Sequence, residues 1–348
     1  MRVVVCWIAL AWAVPPVPLI IDTDMGGGGC MDVDDVGALC MTHALVSSGE
    51  VELLAVVQDT SPAPIAGAIS AVNHYFGRDD IPIGAYKGHD LDPRAPLLPY
   101  VLDLVANFTG PITDSSQVPD SVEVYRRALS AQADHSVVIS SIGLLTNLAA
   151  LLQSEADEVS PLSGQELFKA KVRLLAVMGG SFPDSGGEPK GCNLCGCVFE
   201  NASVARPACA ASGYVSAHLP SEVKVIFSGG DVGANVRTGG RLATCASSDN
   251  PCRRAYLDYL ANPPNSPPSS TRPSWDPLTT LVAVRGAGAV GCSECTDCDG
   301  KTWVDPLTGA DKWIRGPASN QTYLELQNAT MAAEAIDDLL CQPLVTLV

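Results

Sequence analysis

The stretch from Pro18 to Leu39, PLIIDTDMGGGGCMDVDDVGAL, decides the fold of this chain. An apolar strand pattern leads directly into Asp22 and Asp24, and a glycine-rich loop follows. A second acidic run, 32-DVDD-35, then precedes an apolar helix pattern. Because ligands bind beyond the carboxyl ends of strands in open α/β sheets, these carboxylates indicate a binding or catalytic site.

The five carboxylates of this stretch lie within 14 residues and repel one another unless a cation lies among them. Oxygen ligands without nearby His or Cys favour a hard cation, Ca²⁺ or Mg²⁺. The pattern is not an EF-hand, because a strand precedes the loop and the spacing differs. Two other interpretations stay open. Asp34 and Asp35 could be solvated residues that stabilise a helix start, and Gly26–Gly29 could cradle a phosphate, although the P-loop ending is missing.

Outward from this stretch, short β-branched runs alternate with helical patterns. Strand-like runs lie at 51–57, 81–86, 136–141, 172–178 and 223–227, and helical patterns lie at 36–46, 64–76 and from about 147. Such runs without polar alternation are typical of a parallel sheet covered on both faces. The chain is therefore predicted to adopt a Rossmann-like layered α/β fold, with a mostly parallel central sheet flanked by helices.

The sequence also predicts the domain organisation. Residues 18–345 are expected to form a single domain, with a disulfide-rich insertion around 286–315. The Pro/Ser-rich segment 262–273 is expected to be an exposed loop.

Composition limits the classes of partner. The chain has 348 residues, of which 47% are hydrophobic and 17% charged, so it can bury a large core. Its net charge of -17 repels phosphate backbones, which excludes nucleic acid as the expected partner. No interior apolar stretch reaches the length of a membrane-spanning helix. A small molecule is therefore the predicted partner.

The N-terminus and the cysteines predict export. Residues 1–13 resemble a signal peptide, with Arg2, an apolar run and small residues at Ala11 and Ala13; a first buried strand is the alternative. Of 13 cysteines, Cys6 would leave with this segment, and the remaining even number favours disulfides in an oxidising compartment. Zinc is the alternative for the two cysteine clusters, which comprise Cys192, Cys195 and Cys197 and Cys292, Cys295 and Cys298.

Glycosylation sequons support the same interpretation. Four N-x-[ST] patterns occur, at Asn107, Asn201, Asn320 and Asn328. The sequence therefore predicts a secreted, disulfide-bonded glycoprotein.

Three further blocks carry a resemblance to a known family. They are GLLTNL from Gly143, VMGG from Val177 with Asn193 beyond it, and SWDPL from Ser274. Together with the DxD…DD stretch, and in this order, they resemble the motifs of the inosine–uridine-preferring nucleoside hydrolase family. The resemblance covers most of the chain and implies a nucleoside hydrolase-like fold.

The resemblance implies a calcium-dependent nucleoside N-ribohydrolase that cleaves ribonucleosides into ribose and free base. Ca²⁺ would be held by Asp24, Asp35, the backbone carbonyl of Thr146 and Asp276. Asp24 would also be the general base that accepts the proton of the attacking water. Carboxylates near the reacting carbon would stabilise the positive charge of the oxocarbenium-like transition state.

The resemblance also implies residues that contact the substrate. Asp34 would bind the 2′ and 3′ hydroxyls of ribose, and Asn193 would bind the sugar near its 5′ end. Met178 and Trp275 would complete the substrate pocket. Family members often form dimers or tetramers, so the resemblance also implies a homo-oligomer.

Several positions depart from the family pattern. Asp59 stands where many members have Asn, and Gly191 stands where they have an acidic residue. Trp275 replaces the histidine that protonates the leaving base in some members, and either Trp275 or His89 could take that role. The loop from Asp24 to Asp34 is also longer than usual. These departures favour an alternative, a catalytically weakened or inactive Ca²⁺-stabilised extracellular binding protein of the same fold.

Overall fold

The computed structural model describes residues 15–183, 193–195, 202–264 and 267–343. The predicted signal peptide, Gly191, two cysteines (Cys192 and Cys197) and the sequon at Asn201 lie outside the described residues.

Strands and helices alternate through the first two thirds of the chain. The strands are β1 (Val17–Thr23), β2 (Val51–Gln58), β3 (Ile83–Ala85), β4 (Val137–Ser141), β5 (Val172–Met178), β6 (Lys224–Ser228), β7 (Arg237–Thr238), β8 (Arg272–Pro273), β9 (Cys292–Glu294), β10 (Gly300–Val304), β11 (Asp311–Arg315) and β12 (Gln321–Leu326). The helices are α1 (Asp34–Ser47), α2 (Pro64–Tyr75), α3 (Pro99–Asn107), α4 (Ser121–Ala131), α5 (Thr146–Gln153), α6 (Gly164–Lys171), α7 (Ala202–His218), α8 (Gly230–Ala234), α9 (Leu242–Cys245), α10 (Pro251–Ala261), α11 (Trp275–Arg285) and α12 (Ala329–Leu340).

Eight strands form one central sheet in the order β3-β2-β1-β4-β5-β6-β12-β9. Seven of them are parallel, and β9 closes one edge antiparallel to β12. Strand order reverses between β1 and β4, which pair directly through Ile21 and Ser140. Such a switch point leaves a crevice beyond the carboxyl ends of the two strands, where α/β proteins bind ligands.

Both faces of the sheet are covered, which explains the nearly continuous apolar runs of its strands. Successive residues of β1 point to opposite faces, so Leu19 and Ile21 join one core and Ile20 joins the other. Helices α1, α2, α3, α10, α11 and α12 pack on the first face. Helices α4, α5, α6 and α7 pack on the second. The predicted layered α/β fold is confirmed.

The C-terminal part of the chain completes the sheet and adds a hairpin. In the segment predicted as an insertion, β9 joins the central sheet and β10 pairs with β11. The described part of 262–273 is a loop up to β8, whose Arg272 is half-buried rather than exposed. None of the helices among the described residues is long and apolar enough to span a membrane.

Disulfides connect distant parts of the fold. The described residues contain four complete ones: Cys40–Cys252, Cys195–Cys209, Cys245–Cys341 and Cys295–Cys298. Cys30 is also disulfide-bonded. These bonds exclude Cys195, Cys295 and Cys298 as zinc ligands, because a thiol must be free to bind the metal. The even number of remaining cysteines favours disulfides, but Cys292 is a buried free thiol in β9.

Candidate functional site

The acidic residues converge at the switch point of the sheet. Asp22 lies at the end of β1 and Asp24 directly follows it, whereas Asp34 and Asp35 open α1. Asp276 is the second residue of α11, which packs against α1. Residues from the start of the chain and from its last third therefore meet beyond the carboxyl end of β1.

Three carboxylates form the core of the site. One oxygen each from Asp34, Asp35 and Asp276 lies within 4.8 Å of the others, and each residue is at most 5% exposed. Within the described ranges, no other group of three His, Cys, Asp or Glu side chains is placed to hold a metal ion. The structure thus brings together two of the predicted calcium ligands, Asp35 and Asp276, with the predicted ribose ligand Asp34.

Hydrogen bonds fix the orientation of these carboxylates. The Thr23 hydroxyl donates to Oδ1 of Asp35 at 2.5 Å. The backbone amides of Trp275 and Asp276 donate to Oδ2 of Asp34 at 2.9 and 3.1 Å, and so join the first turn of α11 to that of α1. Oδ2 of Asp35 is buried and receives no hydrogen bond from the described residues.

Asp24 lies beside this group but is not part of it. Its Oδ2 accepts a hydrogen bond from the Cys30 amide at 2.6 Å, and its carboxyl group is within hydrogen-bonding reach of Asp35. The glycine-rich loop closes over it, since a Cβ on Gly29 would lie 1.9 Å from Asp24 Oδ2. The role of Asp24 as calcium ligand and general base stays a prediction.

Burial raises the pKa of every carboxyl group in the site. It raises the pKa of Asp24 to about 8, despite the Cys30 amide that lowers it. Burial first, and then repulsion between the neighbouring carboxylates, holds the pKa values of Asp34, Asp35 and Asp276 well above the ordinary range. The group therefore needs either protons or a cation to balance its charge.

The donor set fits a hard divalent cation. All the converging side-chain ligand atoms are oxygens, which Ca²⁺ and Mg²⁺ prefer. The bare Oδ2 of Asp35 is the kind of acceptor that a cation would satisfy, because a buried carboxylate oxygen without a partner is costly.

Asp22, although part of the same acidic stretch, is held away from this group by neutral donors. The Tyr125 hydroxyl donates to its Oδ2 and the Asn147 amide donates to its Oδ1, both at 2.8 Å. Burial still raises its pKa to about 7, against these two hydrogen bonds. Asp22 therefore ties β1 to α4 and α5 rather than to the three carboxylates.

Asp59 adds a further carboxylate behind Asp24. It is fully buried, and neither oxygen accepts a hydrogen bond of ordinary geometry within the described part of the chain. Burial and repulsion from Asp22 and Asp24 raise its pKa, whereas the nearby Leu144 amide lowers it. A Cβ on Gly143 would lie 2.1 Å from Asp59 Oδ2 and 2.6 Å from the Asp24 nitrogen. The glycine of the GLLTNL block is thus required by this close approach.

Thr146, whose carbonyl is a predicted calcium ligand, and the predicted substrate residues Met178 and Asn193 lie along the same edge of the sheet. Thr146 begins α5, and its hydroxyl donates to the Asp59 carbonyl at 2.5 Å. Met178 ends β5, and the Asn193 amide donates to the carbonyls of Ile142 and Met178 at 2.9 and 3.2 Å. Oδ1 of Asn193 is buried and has no partner among the described residues, and the role of Asn193 in sugar binding stays a prediction.

Trp275 has structural contacts at both its backbone and its side chain. Its backbone amide binds Asp34, and its indole Nε1 donates to the Gly230 carbonyl at 2.5 Å. The indole N–H thus fixes the start of α8. His89, the other residue considered for protonating a leaving base, is exposed in the loop after β3.

Asp32 and Arg272 form an ion pair that no local sequence pattern predicts. The Arg272 Nε lies 2.9 Å from both carboxylate oxygens of Asp32, and its Nη2 also contacts Oδ2. Asp32 belongs to the acidic stretch near the start of the chain. Its partner lies 240 residues further along, in the segment 262–273, which was predicted to be an exposed loop.

Comparisons with known proteins show the fold. No family model and no curated protein matches the sequence. The type III effector protein XopQ, solved with adenosine diphosphate ribose, is 16% identical, with a TM-score of 0.66 over 95% of each chain. A plant nucleoside hydrolase is 18% identical, with a TM-score of 0.63 over 94% of this chain and 100% of that chain. An inosine-uridine preferring nucleoside hydrolase from Bacillus anthracis is 14% identical, with a TM-score of 0.61 over 93% of this chain and 99% of that chain. The chain therefore has the fold of the nucleoside hydrolases.

Proposed function

We propose that this protein is a calcium-dependent nucleoside hydrolase that cleaves the N-glycosidic bond of ribonucleosides, giving ribose and the free base. The observation that carries the proposal is the meeting of Asp34, Asp35 and Asp276 within 4.8 Å at the switch point. The four sequence blocks that resemble the family and the shared fold support the same assignment.

Asp35 and Asp276 are the proposed core of the cation site, with Asp24 and the Thr146 carbonyl as further ligands. A bound Ca²⁺ would supply positive charge that lowers the pKa of a water molecule and orients the sugar hydroxyls. The ligand identities rest on the family resemblance, and the buried oxygen-only donor set supports them.

The carboxylates of the chain would do the remaining chemistry. Asp24 would accept the proton of the attacking water, and its carboxyl group lies within hydrogen-bonding reach of Asp35. Asp34 binds two backbone amides through Oδ2, which leaves Oδ1 to accept a hydrogen bond from a ribose hydroxyl. The combined negative charge would favour an oxocarbenium-like sugar over the neutral substrate.

The alternative function is binding without turnover. Trp275 supports this alternative, because its indole N–H donates to the Gly230 carbonyl and is therefore not free to act on a leaving base. Asp59 supports it as well, since it places an additional buried carboxylate behind Asp24. A protein of this kind would bind Ca²⁺ and a ribose-containing ligand but release no sugar.

We also propose that the protein is secreted and glycosylated. The four disulfides within the described residues are typical of an oxidising compartment. The sequon residues Asn107, Asn320 and Asn328 are exposed. Asn328 caps α12 through Oδ1, so its Nδ2 can carry a glycan without loss of the cap.

The test is an assay of reducing-sugar release from a panel of purine and pyrimidine ribonucleosides, before and after chelator treatment and with Ca²⁺ restored. We expect the activity to require the cation, and Asp24→Asn to lower turnover by at least ~10²-fold. Asp337→Asn is the matched control, because Asp337 lies in α12, outside the group of three carboxylates, and accepts a hydrogen bond from the Gly239 amide.

Full activity in excess chelator, or unchanged turnover in Asp24→Asn, would contradict the proposal. Sugar release from no substrate, combined with Ca²⁺-dependent thermal stabilisation, would establish the binding alternative. Adenosine diphosphate ribose belongs in the same panel, because the similar effector protein was solved in complex with it.

A further inference from the structure

The ion pair between Asp32 and Arg272 connects the two segments that carry the site. Asp32 lies in the loop just before Asp34 and Asp35, and Arg272 lies in β8, four residues before Asp276. The guanidinium contacts both carboxylate oxygens, a geometry that fixes the relative position of the two backbones as well as their charge.

Neighbouring groups hold both members of the pair in place. The Arg272 guanidinium lies 5.3 Å from the ring centroid of Tyr259 and 5.4 Å from that of Trp275. The Tyr100 hydroxyl donates to the Asp32 carbonyl at 2.8 Å. The side chains of Asp32 and Arg272 are only 12% and 23% exposed, so the pair is shielded from much of the screening that weakens surface ion pairs.

Apart from the direct packing of α1 on α11, few hydrogen bonds among the described residues fix the distance of the long loop from α11. Backbone hydrogen bonds join Gly28 to Pro96 and Leu98 to Gly26, which attach the loop to the segment before α3. Toward α11, the attachment comes from the Asp32–Arg272 pair and, directly after it, from the two amides that donate to Asp34.

We propose that Asp32 and Arg272 are positioning residues: their ion pair clamps the glycine-rich loop to the approach of α11 and sets the separation of Asp34 and Asp35 from Asp276. This inference rests on the proposed cation site. It goes beyond the proposed function, because it assigns a role to two residues outside the family motifs. When the clamp is released, the three carboxylates keep their chemistry but lose their spacing.

The matched control is another bidentate ion pair, one that involves the far end of α11. Arg285, at the end of α11, contacts both oxygens of Glu50 at 2.8 Å. This pair also joins α11 to the N-terminal part of the chain, but it lies at the end of the helix opposite to Asp276. A purely structural role would give the two pairs the same consequences.

The experiment compares the Ca²⁺ affinity of wild type, Arg272→Gln, Asp32→Asn, the double variant and Arg285→Gln by calorimetry on chelator-treated protein. Each single variant of the clamp should bind Ca²⁺ at least ~10-fold more weakly, as expected for groups that orient metal ligands. The double variant should lose no more Ca²⁺ affinity than the single variant that binds Ca²⁺ more weakly, because the two residues act as a unit. Arg285→Gln should stay within about twofold of wild type.

Hydrogen exchange gives a second measurement that does not depend on the cation. In Arg272→Gln, but not in Arg285→Gln, the amides of Cys30, Trp275 and Asp276 should exchange at least ~10-fold faster, because their hydrogen bonds to Asp24 and Asp34 open more often. If wild type binds no Ca²⁺, the proposed cation site is wrong. The hydrogen-exchange rates alone then test whether the Asp32–Arg272 pair positions the loop. Unchanged exchange, or an affinity of Arg272→Gln within twofold of wild type, would overturn the inference.

Discussion

His43 gives the protein a pH-dependent stability that can be worked out from its surroundings. It lies in α1, the helix that carries Asp34 and Asp35, and is fully buried. Arg78 can only donate, so His43 Nδ1 accepts at 3.0 Å and the protonated Nε2 donates to Asn73 Oδ1 at 2.9 Å. These hydrogen bonds select the neutral ring.

The sign of the effect follows from these contacts. Burial, and then the nearby Arg78 charge, lower the pKa of His43 from 6.5 to about 3. Below pH 6.5 the unfolded chain binds a proton that the folded protein does not, so stability is present above 6.5 and is lost as the pH falls toward 3. With about 1.36 kcal/mol per pKa unit, moving from pH 7 to pH 5 should cost about 2 kcal/mol of unfolding free energy.

The assay is urea unfolding of wild type and His43→Gln at pH 7 and pH 5. Glutamine retains one donor and one acceptor but does not titrate. The acidic site titrates in both proteins, so its contribution cancels in their difference. The stability advantage of wild type should shrink by about 2 kcal/mol at pH 5, whereas the exposed control His89→Gln should track wild type. A pH-independent difference between wild type and His43→Gln would refute the reasoning.

Two other substitutions test the packing of the site and the disulfides. Gly143→Ala, whose Cβ would lie 2.1 Å from Asp59 Oδ2, should lower kcat/KM by about 10²-fold in sugar-release assays. Gly288→Ala should leave kcat/KM unchanged, because a Cβ on Gly288 has no described atom within 4 Å. Equal kcat/KM values in the two variants would contradict the close approach of Asp59 to Gly143. Replacing both Cys40 and Cys252, which are 212 residues apart, should lower the unfolding free energy by about 2–5 kcal/mol in urea titrations. Replacing Cys295 and Cys298, 3 residues apart, should cost less, and equal losses would count against the loop-closure argument.

The sequence predicted those parts of the fold that depend on local patterns. The run 172–178 coincides with β5, and the helical pattern 64–76 differs from α2 by one residue. In β5 every residue except Arg173 is buried, and in α2 the buried residues run from Ile65 to Asn73, so a window of local sequence contains the information. The pairing of β12 with β6 and β9 could not be predicted this way. It depends on how the whole sheet is arranged and not on the sequence of one segment.

The candidate site was predicted in part for a related reason. The acidic stretch located the carboxylates, but their separate roles depend on residues far along the chain. Asp22 is held by Tyr125 and Asn147, and Asp32 is paired with Arg272. Two of the five carboxylates therefore have hydrogen-bond or ion-pair partners that no local sequence pattern could predict.

In the proposed site, carboxylates from α1 and α11 hold one divalent cation. The most direct test is calorimetric titration of Ca²⁺ into chelator-treated wild type and Asp276→Asn, with Asp337→Asn as the control. One site per chain should be present in wild type and in the control, and at least ~10²-fold weaker in Asp276→Asn. Equal affinity in Asp276→Asn and wild type, or no binding to wild type, would contradict the account.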